Sequence, residues 1–147
     1  MGVFLLDEHD NVLLAVRGIE PHKGMLDSFG GFLDNEETFE EASARELREE
    51  LALEPEEYGP LTYLNSAIGH YPFKDETLTL VCVFFWAKLL TKRQLTPSDD
   101  VAAIRTIPIH EVDLSKLHDD DIRAGMRALR RRFPQPDTSP NKGGAKT

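Results

Sequence analysis

The stretch GGFLDNEETFEEASARELREELAL, residues 30–53, sets two glycines ahead of a run of glutamates with only two arginines among them. Thr38 stands where an N-cap is needed, Glu41 follows three residues later, and the next proline is Pro55. That pattern predicts a helix from Thr38 to Leu51. At about 100° per residue, Glu46, Glu49 and Glu50 share one helix face. Like charges at that spacing repel by a few tenths of a kcal/mol each. One reading is a solvated surface helix, with Arg45 paired to Glu41 and Glu49 and Arg48 also at hand. The other is a set of hard oxygen ligands for a divalent cation that is shared with phosphate oxygens. Gly30 and Gly31 favour the second, because backbone without a Cβ lets a ligand come close.

Composition narrows the class. The chain has 147 residues, 40% of them hydrophobic and 29% charged, as a single soluble domain requires. A net charge of −9 argues against non-specific binding to nucleic acid. Cys82 is the only cysteine, which excludes an internal disulfide and a cysteine-based zinc site and fits a reducing cytoplasmic setting. Met1 leads into GVFLLDE, too short and too soon acidic for a signal peptide. The longest apolar run, LTLVCVFFWAKLL (78–90), falls short of a membrane span and reads as a buried strand.

Along the chain, GVFLLDEHDNVLLAVRG predicts two short strands joined by a turn from Asp7 to Asn11. IEPHKGMLDSFGG reads as a loop. Strands are expected at Leu61–Ala67 and Thr77–Leu89, with IGHYPFKDE as the loop between them. After the polar loop Thr96–Asp100, VAAIRTIPI gives another strand. A second helix is expected from Asp119 to Phe133, with Ile122, Met126, Leu129 and Phe133 forming a core stripe. The domain is placed at residues 1–133, and the tail 134–147, rich in proline, glycine and lysine, reads as disordered. This order of elements predicts an α+β domain with helices on a mixed sheet.

The glutamate stretch also resembles a known family. A Gly, five residues, Glu, seven residues, Arg-Glu, an aliphatic, any residue, Glu-Glu, any residue, Gly and an aliphatic make up the Nudix box. Here it runs from Gly31 through Glu37, Arg45, Glu46, Leu47, Glu49 and Glu50 to Leu53. The box expects glycine where Ala52 stands, and many members have proline where Phe29 precedes the two glycines. VLLAVRG (12–18) and DDVAAIRTIPIHEVD (99–113) are similar to the family's segments before and after the box. The resemblance implies an α/β/α sandwich with a mixed sheet and the box as a loop–helix–loop.

It further implies hydrolysis of a nucleoside diphosphate linked to another group, with Mg²⁺ or Mn²⁺ as cofactor. Glu46, Glu49 and Glu50 match the metal positions, and the Gly31 carbonyl is a further ligand candidate. Arg45 joins the catalytic set, while Glu37 and Gly30 hold the box together. Glu50 is the first choice for general base. Asp100 sits where some relatives supply an extra acid, and it reads equally well as a turn aspartate. Arg17 is a candidate for substrate phosphate or for a surface ion pair. Tyr71 and Phe73 are candidates for stacking on a base. The wording around the box is most similar to the NADH pyrophosphatase and ADP-ribose pyrophosphatase branches, without their zinc ribbon. The partner expected is therefore a small nucleoside diphosphate derivative such as NADH or ADP-ribose, with neither nucleic acid nor membrane. A homodimer is common among such relatives, though no residue here establishes one. The alternative is a non-catalytic nucleotide-binding module or regulator. The scattered histidines and the run Arg130–Arg132 read as surface or helix-end features.

Overall fold

Strand β1 (Gly2–Leu6) is the axis of the molecule, and all five of its residues are buried in the computed structural model, which describes residues 1–140. It pairs antiparallel with β2 (Asn11–Arg17) and β4 (Phe29–Gly30), and parallel with β6 (Glu76–Lys88). With β3 (Leu26–Asp27), β5 (Thr62–Phe73) and β7 (Val101–Pro108) this makes a seven-stranded mixed sheet, ordered β3-β2-β1-β6-β5, with β7 on β2. Alternation along β1 divides the core in two. Val3 and Leu5 pack with Leu47 and Leu51 of α1 (Phe39–Leu51) on one face. Phe4 and Leu6 pack with Ile122, Met126 and Leu129 of α2 (Asp120–Arg132) on the other. The expected sandwich and core stripe are the observed ones.

Local chemistry explains the joints. In the Asp7–Asn11 turn, the Asp7 carboxylate accepts from the N–H groups of His9 and Asn11 at 2.9 Å each. Thr38 caps α1 by accepting from the Glu41 N–H at 3.1 Å. At the other end Ala52 takes a left-handed conformation (φ 53°, ψ 30°), and the Leu53 N–H reaches the Leu47 carbonyl at 3.2 Å. This is the cap that the missing glycine would have formed, kept with a Cβ in place. Ala52→Gly is therefore expected to leave stability unchanged or raise it by roughly 0.5–1 kcal/mol, as read by denaturant unfolding. A clear loss would mean that the cap depends on the alanine.

Two sequence expectations need correction. The segment expected as a loop before the box carries β3 and β4, each two residues long, held by partners distant in sequence. The loop expected at IGHYPFKDE is strand as far as Phe73, paired in register with β6, and the turn is Lys74–Asp75. Gly69 and Pro72 look like breakers but are not. A Cβ on Gly69 would sit 2.7 Å from Asp121 Oδ2, so the glycine makes room for α2. Pro72 lies on β5, an edge strand, where a missing N–H leaves the ladder intact. Beside it the His70 N–H donates to the Asp119 carboxylate at 2.9 Å. β6 is buried only around Phe84–Ala87, and its outer half is largely exposed, with Val81 at 69%.

Residues 134–140 form no helix or strand, and the rest of the expected tail, 141–147, lies outside the described residues. Arg130 is more than a helix-end charge, since its guanidinium donates to the carbonyls of Ile109 and Val112 and ties α2 to the segment before it. Among the described residues no helix is long and apolar enough to cross a membrane.

Candidate active site

The helix α1 and the loop before it place the glutamates at unequal depth. Glu46 and Glu50 are buried, at 8% and 6% exposure, whereas the Glu49 side chain is about half exposed. Gly31 is a close approach: a Cβ there would stand 2.6 Å from Glu46 Oε1. Gly30 has φ 144°, a conformation that favours glycine, and its N–H donates to Glu50 Oε1 at 3.3 Å.

Arg45 organises the acids. Its Nε donates to Glu37 at 2.6 Å, its Nη1 to Glu46 and Glu49 at 3.1 and 3.2 Å, and its Nη2 to the Phe32 carbonyl at 3.0 Å. Glu37 in turn accepts from the Asp34 N–H at 2.8 Å, which closes the loop onto the helix. The bond from Arg45 holds the Glu37 carboxyl below its usual range. The pair expected with Glu41 is replaced by the one with Glu37, eight residues away, because the loop folds back over the helix. Arg48 pairs instead with Glu54 at 3.1 Å.

The buried pair is electrostatically unsatisfied. Burial, and then the charge of Glu46, push the Glu50 carboxyl up to about 9, against the pull of the Gly30 N–H. Burial also raises Glu46, opposed by Arg45. Glu50 Oε2 is buried with no hydrogen-bond partner. Two buried carboxylates, one with an orphaned oxygen, and a third at the rim are a donor set that fits a hard divalent cation. The Gly31 carbonyl accepts from the Met1 ammonium at 2.9 Å.

These groups line a cleft of about 370 Å³ that Arg17, Asp27, Asp100 and Tyr71 also enter. A second cleft of about 450 Å³ adjoins it, sharing Arg17, Asp27, Phe32 and Tyr71, and is walled by Leu80 and Ile122. Tyr71 and Phe32 meet edge to face, with ring centroids 5.2 Å apart. Arg17 is fixed by Asp27 at 2.8 Å and by the Pro21 carbonyl at 2.8 Å. Asp100 lies at the rim, its carbonyl accepting from the Gly18 N–H at 2.8 Å. Phe73 lines neither cleft; it stands exposed at the hairpin end with Lys74 over its ring.

Several site residues escaped the sequence reading. Asp27 and Phe32 sat in a presumed loop and in the box's own spacer. His118 was taken for a surface histidine, yet its side chain is 15% exposed, it meets Asp27 at 3.1 Å, and its Nδ1 is buried without a partner. Asp121, raised by burial, also lines the second cleft. Cys82 lies there too, its thiol pushed up to about 11 by burial. Away from these clefts the hairpin brings His70 to Asp119 and Asp120. Asp119 caps α2 and Asp120 pairs with Arg123 at 2.6 Å, so local structure already occupies both.

A mixed sheet between two helices, with buried carboxylates presented by a loop–helix–loop, defines the type of domain. The NUDIX domain family model matches residues 1–130, and the chain belongs to this family. It is 33% identical over 91 residues to an 8-oxo-dGTP diphosphatase of Proteus vulgaris, covering 61% of this chain and 79% of that one. It is 31% identical over 109 residues to Nudix hydrolase 3 of Caenorhabditis elegans, of which it spans 45%. Among solved structures, a C. elegans Ap4A hydrolase binary complex superposes with a TM-score of 0.70 at 14% identity, over 90% of this chain and 94% of that one. The Escherichia coli dihydroneopterin triphosphate pyrophosphohydrolase gives 0.71 at 16%, over 88% and 90%. At such identities the structures speak for the fold alone.

Proposed function

We propose that the chain hydrolyses the diphosphate linkage of a nucleoside diphosphate derivative, either a dinucleotide such as NADH or the sugar derivative ADP-ribose, with Mg²⁺ or Mn²⁺. The observation that carries this reading is the buried Glu46–Glu50 pair, with its orphaned oxygen, opening into a cleft that continues into an apolar one. Glu46, Glu49 and Glu50 would hold the cation, with the Gly31 carbonyl as a further ligand. When bound, such a cation polarises phosphoryl oxygens and lowers the pKa of a coordinated water.

The remaining work falls to the chain. Arg45 fixes Glu46 and Glu49, so the carboxylates need little rearrangement. With a cation held there Glu50 would be ionised, and it would then accept the proton of the attacking water as the water oxygen bonds to phosphorus and the bridging P–O bond breaks. Arg17, held by Asp27, keeps N–H groups for a phosphate oxygen. Tyr71 and Phe32 offer ring surface to the base, and the apolar walls beyond exclude water. The single cysteine fits a reducing, cytoplasmic setting for this activity.

The likeness to an 8-oxo-dGTP diphosphatase favours a second reading, in which the substrate is a nucleoside triphosphate. One experiment separates the two. NADH, ADP-ribose, diadenosine polyphosphates, nucleotide sugars and nucleoside triphosphates are incubated with Mg²⁺, with and without chelator. Chelator-sensitive release from a dinucleotide or from ADP-ribose is expected, and release from triphosphates alone would select the second reading. Silence from a folded protein would move the assignment to a nucleotide-binding module. On the active substrate Tyr71→Ala is expected to raise KM by roughly tenfold or more, and Phe73→Ala to leave it unchanged. The reverse pattern would displace the base site to the hairpin end.

A further inference from the structure

On the face of β2, β3 and β7 turned away from the glutamates lies a third cleft, of about 400 Å³. Val16, Leu26 and Ile107 form its apolar floor, all belonging to the α2-side core. Arg105 and Lys116 stand at its rim. None of its lining residues is acidic, although the chain holds 26 Asp and Glu against 17 Lys and Arg. Among the described residues neither cation has a carboxylate within ion-pair distance, whereas Arg17, Arg45, Arg48, Arg93 and Arg123 are all paired. Asp113 feels the charge of Lys116, but its carboxylate is held by the Ser115 N–H at 3.0 Å and hydroxyl at 2.7 Å. A cleft with two free cations over apolar ground suits a small dianion with a flat, poorly hydrated body.

The strands connect this cleft to the active site. Alternation sends Val16 and Leu26 into it and their neighbours Arg17 and Asp27 into the catalytic cleft. The intervening loop closes between the two, the Arg17 N–H donating to the Met25 carbonyl at 2.9 Å and the Gly24 N–H to the Arg17 carbonyl at 2.8 Å.

We propose that this cleft is a second anion site, that it takes a nucleoside monophosphate, and that occupancy is transmitted through β2 and β3 to the Arg17–Asp27 pair. The choice of ligand class rests on the proposed hydrolysis, which releases such a monoester; the site itself rests on its own cations. Arg105 and Lys116 bind the phosphate and the apolar floor carries the base.

The test is an amide NMR titration of the full chain with AMP in chelator, which removes any cation that would draw phosphate into the catalytic cleft. Amide shifts at Leu26, Ile107 and Lys116 with a midpoint in the millimolar range or tighter are expected, and the Arg17 Nε–H signal should move with the same midpoint. The Arg105→Ala/Lys116→Ala double variant should raise the midpoint roughly tenfold or more, and Arg105→Lys/Lys116→Arg should keep it. Adenosine and inorganic phosphate should each bind more weakly than AMP. Shifts confined to Gly30–Phe32, no shifts, or an unchanged double variant would overturn the site. A still Arg17 signal would overturn the transmission, and phosphate binding as tightly as AMP would overturn the ligand class. Wild-type silence across the substrate panel, with the titration intact, would sink the hydrolysis reading and leave the cleft an anion site.

Discussion

Glu50→Gln is expected to stabilise the metal-free protein while removing most of its turnover. The Glu50 carboxyl is held up to about 9 in the folded chain against an ordinary value of 4.5, first by burial and then by Glu46. Below about 4.5 it is protonated whether the chain is folded or not. As pH rises the unfolded chain gives up this proton and the folded chain keeps it, so the stability tied to the neutral form drains away and is lost by about pH 9. Glutamine stays neutral throughout, can still accept from the Gly30 N–H, and can donate to Glu46. In chelator at about pH 8 the variant should exceed the parent by more than about 1 kcal/mol, since each pKa unit is worth about 1.4 kcal/mol. Its stability should also be flatter between about pH 5 and 9, as read by urea unfolding. Turnover should fall by roughly 10²-fold or more, because the residue proposed both to hold the cation and to accept the proton is lost. A variant less stable than the parent at about pH 8 would show that Glu50 is satisfied in the fold, contrary to its orphaned oxygen.

Arg45→Ala should strike stability and turnover together. One guanidinium holds Glu37, Glu46, Glu49 and the Phe32 carbonyl, so its removal frees the loop and leaves three acids without their shared counter-charge. A thermal midpoint lower by roughly 5 °C and a turnover lower by roughly 10–100-fold are expected. Arg45→Lys should recover little of either, because a single ammonium does not match the fork that meets both oxygens of Glu37. A lysine variant with near-normal kcat would reduce Arg45 to a bystander charge.

The parts of this protein that were legible in its sequence are those whose causes are local. Glu46, Glu49 and Glu50 share a face because helical spacing is fixed, and Thr38 caps because its hydroxyl lies three residues from a free N–H. The strands flanking the Asp7 turn announce themselves by composition. The hairpin misled because Gly69 and Pro72 are local breakers whose cost is lifted by distant partners, α2 for one and the open sheet edge for the other. Tyr71 and Phe73 looked interchangeable, since two residues in sequence do not tell which aromatic faces a cleft and which caps a turn. The apolar half of the site was hidden altogether. Phe32, Leu80 and the neighbours His118 and Asp121 come from three separate segments, and only the folded sheet brings them to one cavity.

The β5 edge has a bearing on how the protein behaves in a crowded solution. Its twelve residues, TYLNSAIGHYPF, hold no Asp, Glu, Lys or Arg, and such a long unpaired border is a ready template for intermolecular cross-β growth. Pro72 presents no N–H to an incoming strand, and the His70 N–H is already committed to Asp119. Pro72, which the sequence offers as a strand breaker, thus acts outward together with His70, keeping one molecule's sheet from being continued by the next.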